Sequence, residues 1–341
     1  MNIQLSDHFN YKKLFLFTLP SVVMMVFTSV YCVVDGFFVS NFAGKTAFAA
    51  INLIMPFIMI LGGIGFMIGT GGSALVSYTL GTGDKEKANR YFSMLVYFTI
   101  LAGILLTVLG IIFVRPIAEL FGADESMMDT CVLYGRIVIA FNVAFMLQNI
   151  FQSFFVVAEK PRLGLIVTIA AGVTNMVLDA LFVGVFKWGI VGAALATGIS
   201  QSIGGLLPLL YFALPNNSPL QLTRTGFELA PLLKASSNGC SELMSNVASS
   251  LIGIVYNYQL MRLGGENAVA TYGVLMYIQF VFIAIFIGYS VGSAPIIGYH
   301  YGAGNFKELQ NMRRKSLKIM SISGVLMAIL GFTLAPVISA I

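Results

Sequence analysis

Nine stretches of the chain contain no Asp, Glu, Lys or Arg: 14–34, 46–83, 91–114, 137–158, 163–178, 188–223, 243–261, 267–306 and 319–341. Each is dominated by apolar residues, and a helix needs about 20 of them to cross the hydrocarbon layer. The pattern predicts an all-α fold, a polytopic helical membrane protein with nine crossings. The first apolar run is too long, and lacks the small-residue cleavage site, for a removable signal peptide.

Composition sharpens this picture. Apolar residues make up 58% of the 341 positions and charged residues 10%, against roughly 25% charged in soluble domains. That excludes an ordinary soluble enzyme and a disordered chain. The net charge of +5 sits in short runs between apolar segments, so it does not mark a nucleic-acid binder. Cys32, Cys131 and Cys240 are far apart and form no metal or disulfide framework. The two histidines, His8 and His300, are too far apart in sequence to suggest a site.

The basic residues also set an orientation. With 46–83 and 267–306 each taken as one crossing, 14 Lys and Arg fall on the side of the N-terminus and 4 on the other. The first group includes Lys85, Lys87 and Arg90, and Arg313 to Lys315; the second is Lys45, Arg115, Lys187 and Arg262. Splitting either long stretch destroys the bias. The positive-inside rule then places the N-terminus in the cytoplasm and the acidic loop Glu119, Asp124, Glu125 outside. A multi-pass protein of the cytoplasmic membrane, in contact with the lipid bilayer, is expected.

The chain also repeats. Gly81-Thr82-Gly83-Asp84 and Gly302-Ala303-Gly304-Asn305 each close a long apolar segment and precede a basic one, at an offset of 221. Ser73-Ala74 and Ser293-Ala294 match at an offset of 220. Six crossings per unit give two parallel six-helix repeats, related by an axis along the membrane normal. The expected division is residues 1–213 as a first lobe, 214–230 as a cytoplasmic linker and 231–341 as a partial second lobe of three helices. A second unit of equal length would run well past Ile341, so the second repeat is expected to be incomplete.

Charges at membrane depth cost about 3 kcal/mol or more and point to function. Four stand there: Asp35, Arg136, Asp179 and Glu242. Asn175 and Asp179 share a helix face at i, i+4. Carboxylate and amide oxygens suit a hard cation, and a desolvated carboxyl can exchange protons near neutral pH. The alternative for these residues is a hydrogen-bonded pair that locks two helices. Glu242 sits near the end of its crossing and can snorkel; Arg136 lies near the outer surface. Asn142, Gln148, Asn149 and Gln152 form a second polar set, and Thr197 and Gln201 a third. Spacing alone leaves open whether they face a cavity or bond between helices, at about 0.6 kcal/mol per bond. The glycine run Gly62 to Gly72 allows close helix approach; with no Walker lysine it is no phosphate loop.

Several of these segments resemble the multidrug and toxic compound extrusion (MATE) family, nearest its bacterial MepA-like branch. They are Leu19-Pro20, Val34-Asp35-Gly36-Phe37-Phe38-Val39, Gly81-Thr82-Gly83, Tyr134-Gly135-Arg136 and Glu159-Lys160-Pro161, then Ala171 to Asp179 and Gly189 to Thr197. The resemblance spans the whole chain. It implies twelve helices in two lobes around a central cavity, and export of organic cations or amphipathic drugs by antiport against Na⁺ or H⁺. It implies a cation-coupling site at Asp35, Asn175, Asp179 and Thr197, with Asp35, Asn175 and Asp179 holding Na⁺ where that ion drives transport. The substrate cavity would include Thr28, Ser29, Gln148, Asn149 and Gln152, with Glu242 added from its depth. No cofactor, catalytic residue, nucleic acid or oligomer is implied. The position matching Asp35 in the second repeat is near Tyr256, a departure in the coupling chemistry. A non-transporting fragment of such an exporter is the main rival. A lipid-precursor flippase would need a cluster of cavity arginines, and an intramembrane prenyl transferase would need Asp-rich metal motifs; neither occurs.

Overall fold

The computed structural model describes residues 3–123 and 125–338. Asp124 of the acidic loop and the side chain of Lys45 lie outside the described residues. The described chain is helical: α1 Tyr11–Phe38, α2 Lys45–Gly81, α3 Lys85–Leu120, α4 Glu125–Ala140, α5 Asn142–Val157, α6 Pro161–Asp179, α7 Gly189–Ala213, α8 Leu229–Gly302 and α9 Phe306–Ile338. Two π-helical turns, Val39–Ala43 and Ala180–Val185, extend α1 and α6.

The repeated Gly-x-Gly-Asx motif turns out to be a helix-to-helix corner. Gly83 (φ 87°) and Gly304 (φ 67°) take the left-handed conformation that ends α2 and α8. The Asp84 carboxylate then accepts from the Lys87 amide at 2.9 Å and caps α3. The Asn305 side chain accepts from the Glu308 amide at 3.2 Å and caps α9.

α8 holds two predicted crossings in one helical run of 74 residues. It doubles back. Tyr256 and Tyr272 stack at 5.3 Å between ring centroids, whereas 16 residues of straight helix span about 24 Å. Ala235 and Gly239 meet Gly71 and Met67 of α2, while Tyr299 meets Gly81 of the same helix. A straight helix would hold Ala235 and Tyr299 about 96 Å apart. The apolar stretches 243–261 and 267–306 therefore form the limbs of a helical hairpin.

Among the described residues seven helices are long and apolar enough to cross a membrane, and the pair α4–α5, bent by 54°, makes an eighth. The first limb of α8 runs antiparallel to α2, through Ala235–Gly71, Gly239–Met67 and Leu243–Gly63. The second limb runs antiparallel to α1 through Gly292–Thr18 and Gly288–Val22. Adding 221 to residues 18 and 71 gives 239 and 292, so the Gly71–Gly239 contact and the Gly292–Thr18 contact are the same contact made twice.

Within the first repeat α5 is the central helix. From Met146 to Val157 every residue is buried. Glycines on its neighbours permit this: a Cβ on Gly65 of α2 would lie 2.7 Å from the Met146 backbone, and one on Gly205 of α7 2.5 Å from the Ala144 carbonyl. An aromatic cluster fills one end, with Phe92 at 4.8 Å from Phe154 and 5.0 Å from Phe212.

The charge-dense segments predicted to share a side are tied together at one end of the bundle, here called the basic end. The Leu5 amide donates to Glu159 in the α5–α6 turn, His8 pairs with Glu308 beside the α8–α9 turn, and the Gln221 amide of the linker donates to Asn89 of α3.

Candidate functional site

Two helices bring carboxyl groups together deep in the first repeat. α1 and α6 pack side by side because Gly172 of α6 leaves room for α1: a Cβ there would stand 2.9 Å from the Tyr31 ring. One helical turn beyond that contact α1 carries Asp35. α6 carries Asn175 and then Asp179, its last residue before the π-helical turn. Asp35 stands one helical turn before the π-helical turn Val39–Ala43. These two turns touch each other. π-helical turns recur at functional sites because they re-aim the side chains beside them.

Asp179 is 0% exposed and Asn175 2%. The Asp35 and Asp179 carboxyls lie within hydrogen-bonding reach of each other. Two ionised carboxylates can only accept, so this contact requires a shared proton or a cation between them. Five buried oxygens gather on these four residues without a hydrogen-bond partner among the described residues: Asp35 Oδ1, Asn175 Oδ1, both oxygens of Asp179, and Thr197 Oγ1. Leaving such groups unpaired costs about 1–3 kcal/mol each, more for charged ones. A proton shared between Asp35 and Asp179 would also bond α1 to α6. A set of orphaned acceptors is what a hard cation or a proton takes up.

Tyr134 of α4 was not singled out from the sequence as a site residue. It is 1% exposed, and its hydroxyl lies in electrostatic reach of both Asp35 and Asp179.

The polar residues of α5 are buried between helices. Asn149 donates to the Gly62 carbonyl of α2 at 3.4 Å. Gln148 packs against Gly204 of α7 and within reach of Tyr31 on α1. The side-chain oxygens of Gln148, Gln152 and Gln201 have no partner among the described residues. Thr28 and Ser29 are half-buried on α1, and their hydroxyls donate to the Met24 and Met25 carbonyls. Ser29 also approaches the Phe280 carbonyl of α8 at 3.5 Å. Glu242 is half-buried on the first limb of α8, beside the seam where Gly239 and Leu243 meet α2. Arg136 is exposed. The structure thus brings Asp35 and Asp179 together, with Asn175 one turn earlier on α6 and Tyr134 in electrostatic reach; Thr197 stands on α7 with its hydroxyl unpartnered among the described residues, and Gln148 reaches Tyr31 of α1. Glu242 stands apart, in the other repeat.

The MatE family model matches residues 20–181 and 243–341. Multidrug export protein MepA of Staphylococcus haemolyticus is 24% identical over 315 residues, 92% of this chain and 68% of that protein. MepA of Staphylococcus aureus MRSA252 is 25% identical over 297 residues, 85% of this chain and 64% of that protein. Among solved structures, an outward-facing multidrug resistance MATE family transporter superposes with a TM-score of 0.90 at 21% identity, over 98% of this chain and 74% of its own. A MATE structure in complex with MaD3S gives a TM-score of 0.89 at 21% identity, over 98% of this chain and 76% of its own. The named relatives are exporters rather than enzymes, and the family match extends over both repeats: the chain belongs to the MatE family.

Proposed function

We propose that this chain is a secondary active exporter that moves amphipathic organic cations out of the cell against an inward flow of Na⁺ or H⁺. The observation that carries the reading is the set of five orphaned oxygens on Asp35, Asn175, Asp179 and Thr197. The naming of its relatives as multidrug export proteins supports it. In this reading the basic end faces the cytoplasm, as the positive-inside rule requires, and the acids sit in the outer half of the first lobe. Residues 1–213 form that lobe, 214–230 the linker, and 231–341 part of the second lobe. Thr28, Ser29, Gln148, Asn149, Gln152 and Glu242 belong to the drug pathway.

The mechanism follows from charge. The facing carboxyls repel when both are ionised, and an entering cation or proton relieves that repulsion. Occupancy draws α1 towards α6, and the π-helical turns beyond each acid take up the change. A drug held between the lobes favours the arrangement in which the site is empty; the coupling ion favours the other. Each occupant lowers the affinity for its rival, and the two fluxes are thereby linked.

The test is ethidium efflux from vesicles of exporter-deficient cells under an imposed Na⁺ or pH gradient. Efflux driven by one gradient and lost in Asp35→Asn and in Asp179→Asn is the expected result. Gradient-driven efflux that survives both substitutions would overturn the site assignment. Absence of efflux under either gradient would favour the non-transporting reading.

A further inference from the structure

Residues 3–10 precede the first crossing and carry no hydrophobic periodicity, yet they are fastened at both ends. Leu5 and Phe9 are 1% and 0% exposed. They pack with Leu14 and Phe17 of α1, Val156 of α5, Ile296 of α8 and Met312 of α9, a cluster drawn from both repeats. Polar ties reinforce it. The Leu5 amide donates to Glu159 Oε1 at 2.7 Å, in the first repeat. The Phe9 amide donates to Glu308 Oε1 at 3.0 Å, and His8 Nδ1 lies 2.6 Å from Glu308 Oε2, in the second. The Phe9 carbonyl accepts from Asn311 and from the Lys315 ammonium of α9. The segment therefore belongs to the first repeat by chain connection, crosses to the second at His8–Phe9, and returns to the first at Leu5.

The linker does the converse. It leads into the second repeat, and on the way it lies along α3 of the first. The Gln221 amide donates to Asn89 at 2.9 Å and the Thr223 amide to Ser93 at 2.8 Å. Each repeat thus sends the segment before its first helix across to the other, at the basic end where α2 meets α8.

From this arrangement we propose that residues 3–10 are a latch. The segment staples the two repeats together at the cytoplasmic face and holds that face shut, and its grip on Glu308 must break when the face opens. The proposal rests on the exporter reading only for the need to open inward. The alternative is a strap that tidies the chain end without restraining the repeats. The alternative has no need of the buried Glu308, 6% exposed, which takes bonds from His8, Phe9 and Asn311 at once.

The test measures distance and needs no drug or gradient, so it stands or falls apart from transport. Spin labels go on Lys85 of the first repeat and Lys307 of the second, both exposed, in a chain with Cys32, Cys131 and Cys240 replaced by alanine. A second pair, Lys85 and Arg162, lies within the first repeat and serves as control. Glu159→Ala is expected to raise a longer inter-repeat population about tenfold, the shift that follows from losing one hydrogen bond to a charged group, and Glu308→Ala, which loses the bonds from both His8 and Phe9, by more. The control pair stays fixed. Glu308→Gln keeps an acceptor for the Phe9 amide and gives an intermediate shift; it also carries the test if the alanine chain fails to fold. Unchanged Lys85–Lys307 distances in the folded variants would overturn the latch. So would equal changes in both pairs, since the first repeat itself would then have loosened.

Discussion

Gly81 and Gly302 cover each other's helices: a Cβ on Gly81 would strike the Tyr299 carbonyl, and a Cβ on Gly302 would strike the Tyr78 carbonyl. The offset of 221 maps Tyr78 onto Tyr299 and Gly81 onto Gly302. One contact is therefore made twice across a pseudo-twofold axis, as in an isologous interface. Ser77 packs on Gly298, its own repeat mate, so the axis passes between those two residues. The Tyr78 and Tyr301 rings, 5.7 Å apart, cover the seam on its outer edge.

Backbone-to-backbone contact leaves no flexible group to move aside. Gly302→Ala is expected to cost about 1–3 kcal/mol through overpacking, read as a lower melting temperature in detergent. Gly81→Ala should cost a similar amount. The double variant should cost less than their sum, because the first substitution already parts the helices for the second. Gly324 of α9 meets nothing within 4 Å, so Gly324→Ala should be neutral or slightly stabilising through helix propensity. Equal losses at Gly302 and Gly324 would show that the seam is not tightly closed.

Much of this architecture is readable in the sequence, for definable reasons. The corner motif repeats at Gly81 and Gly302 because a left-handed glycine and an Asx cap are each demanded by backbone geometry. Asp35 and Asp179 stand out because charge at membrane depth is costly. The two limbs of α8 are separated in the sequence by the charged break at Arg262 between 243–261 and 267–306, although the backbone stays helical across it. Other features leave no such trace. The α4–α5 bend falls at Phe141, with neither Pro nor Gly there; the Phe141 ring packs where Gly198 of α7 makes room. The π-helical turns after both acids have no sequence signature. Tyr134 is one of 14 tyrosines, and only the approach of α1 and α6 makes it distinctive. Residues 3–10 leave no pattern in the sequence, because Leu5 and Phe9 are buried by distant parts of the chain rather than by periodicity.

Tyr134 lies in electrostatic reach of the paired acids, on a helix that carries neither. Tyr134→Phe keeps the ring in its buried slot beside Val138 and Ile54 and removes the hydroxyl alone. The expected outcome is a several-fold loss of gradient-driven efflux with the drug concentration dependence unchanged, because the defect lies in coupling. Vesicle efflux at several ethidium concentrations checks it. A change confined to the concentration dependence would place Tyr134 in the drug pathway instead.

The buried amides of α5 separate structure from transport by magnitude. An interhelical bond in a membrane contributes about 0.6 kcal/mol on average, and the Asn149–Gly62 bond is long at 3.4 Å. Asn149→Leu should therefore lower stability by less than about 1 kcal/mol, a small change in melting temperature. Gln152, whose side-chain oxygen has no partner among the described residues, should tolerate Leu still better. If these groups serve the drug pathway, both variants lose efflux out of proportion to their stability. Full efflux in both would leave them a packing role only.

Glu159 supplies a prediction in pH whose sign is fixed by its surroundings. Burial raises its carboxyl above the ordinary glutamate value, and nearby Asp7 adds to the rise; the Leu5 amide, Lys160 and Lys85 pull the other way without cancelling it. The native chain thus keeps a proton that the unfolded chain releases, over a window beginning near pH 4.5 and ending at the raised native value. Stability falls as pH climbs through that window, and above it the whole cost is present. Glu159→Gln cannot ionise and still offers the Leu5 amide an acceptor. Its melting temperature, compared with the parent's, should therefore gain steadily from pH 4.5 towards neutrality and then level off. A gain that shrinks with rising pH would mean that the ionised carboxylate is favoured in the fold. The Leu5 bond and the two lysines would then outweigh burial at this end of the latch.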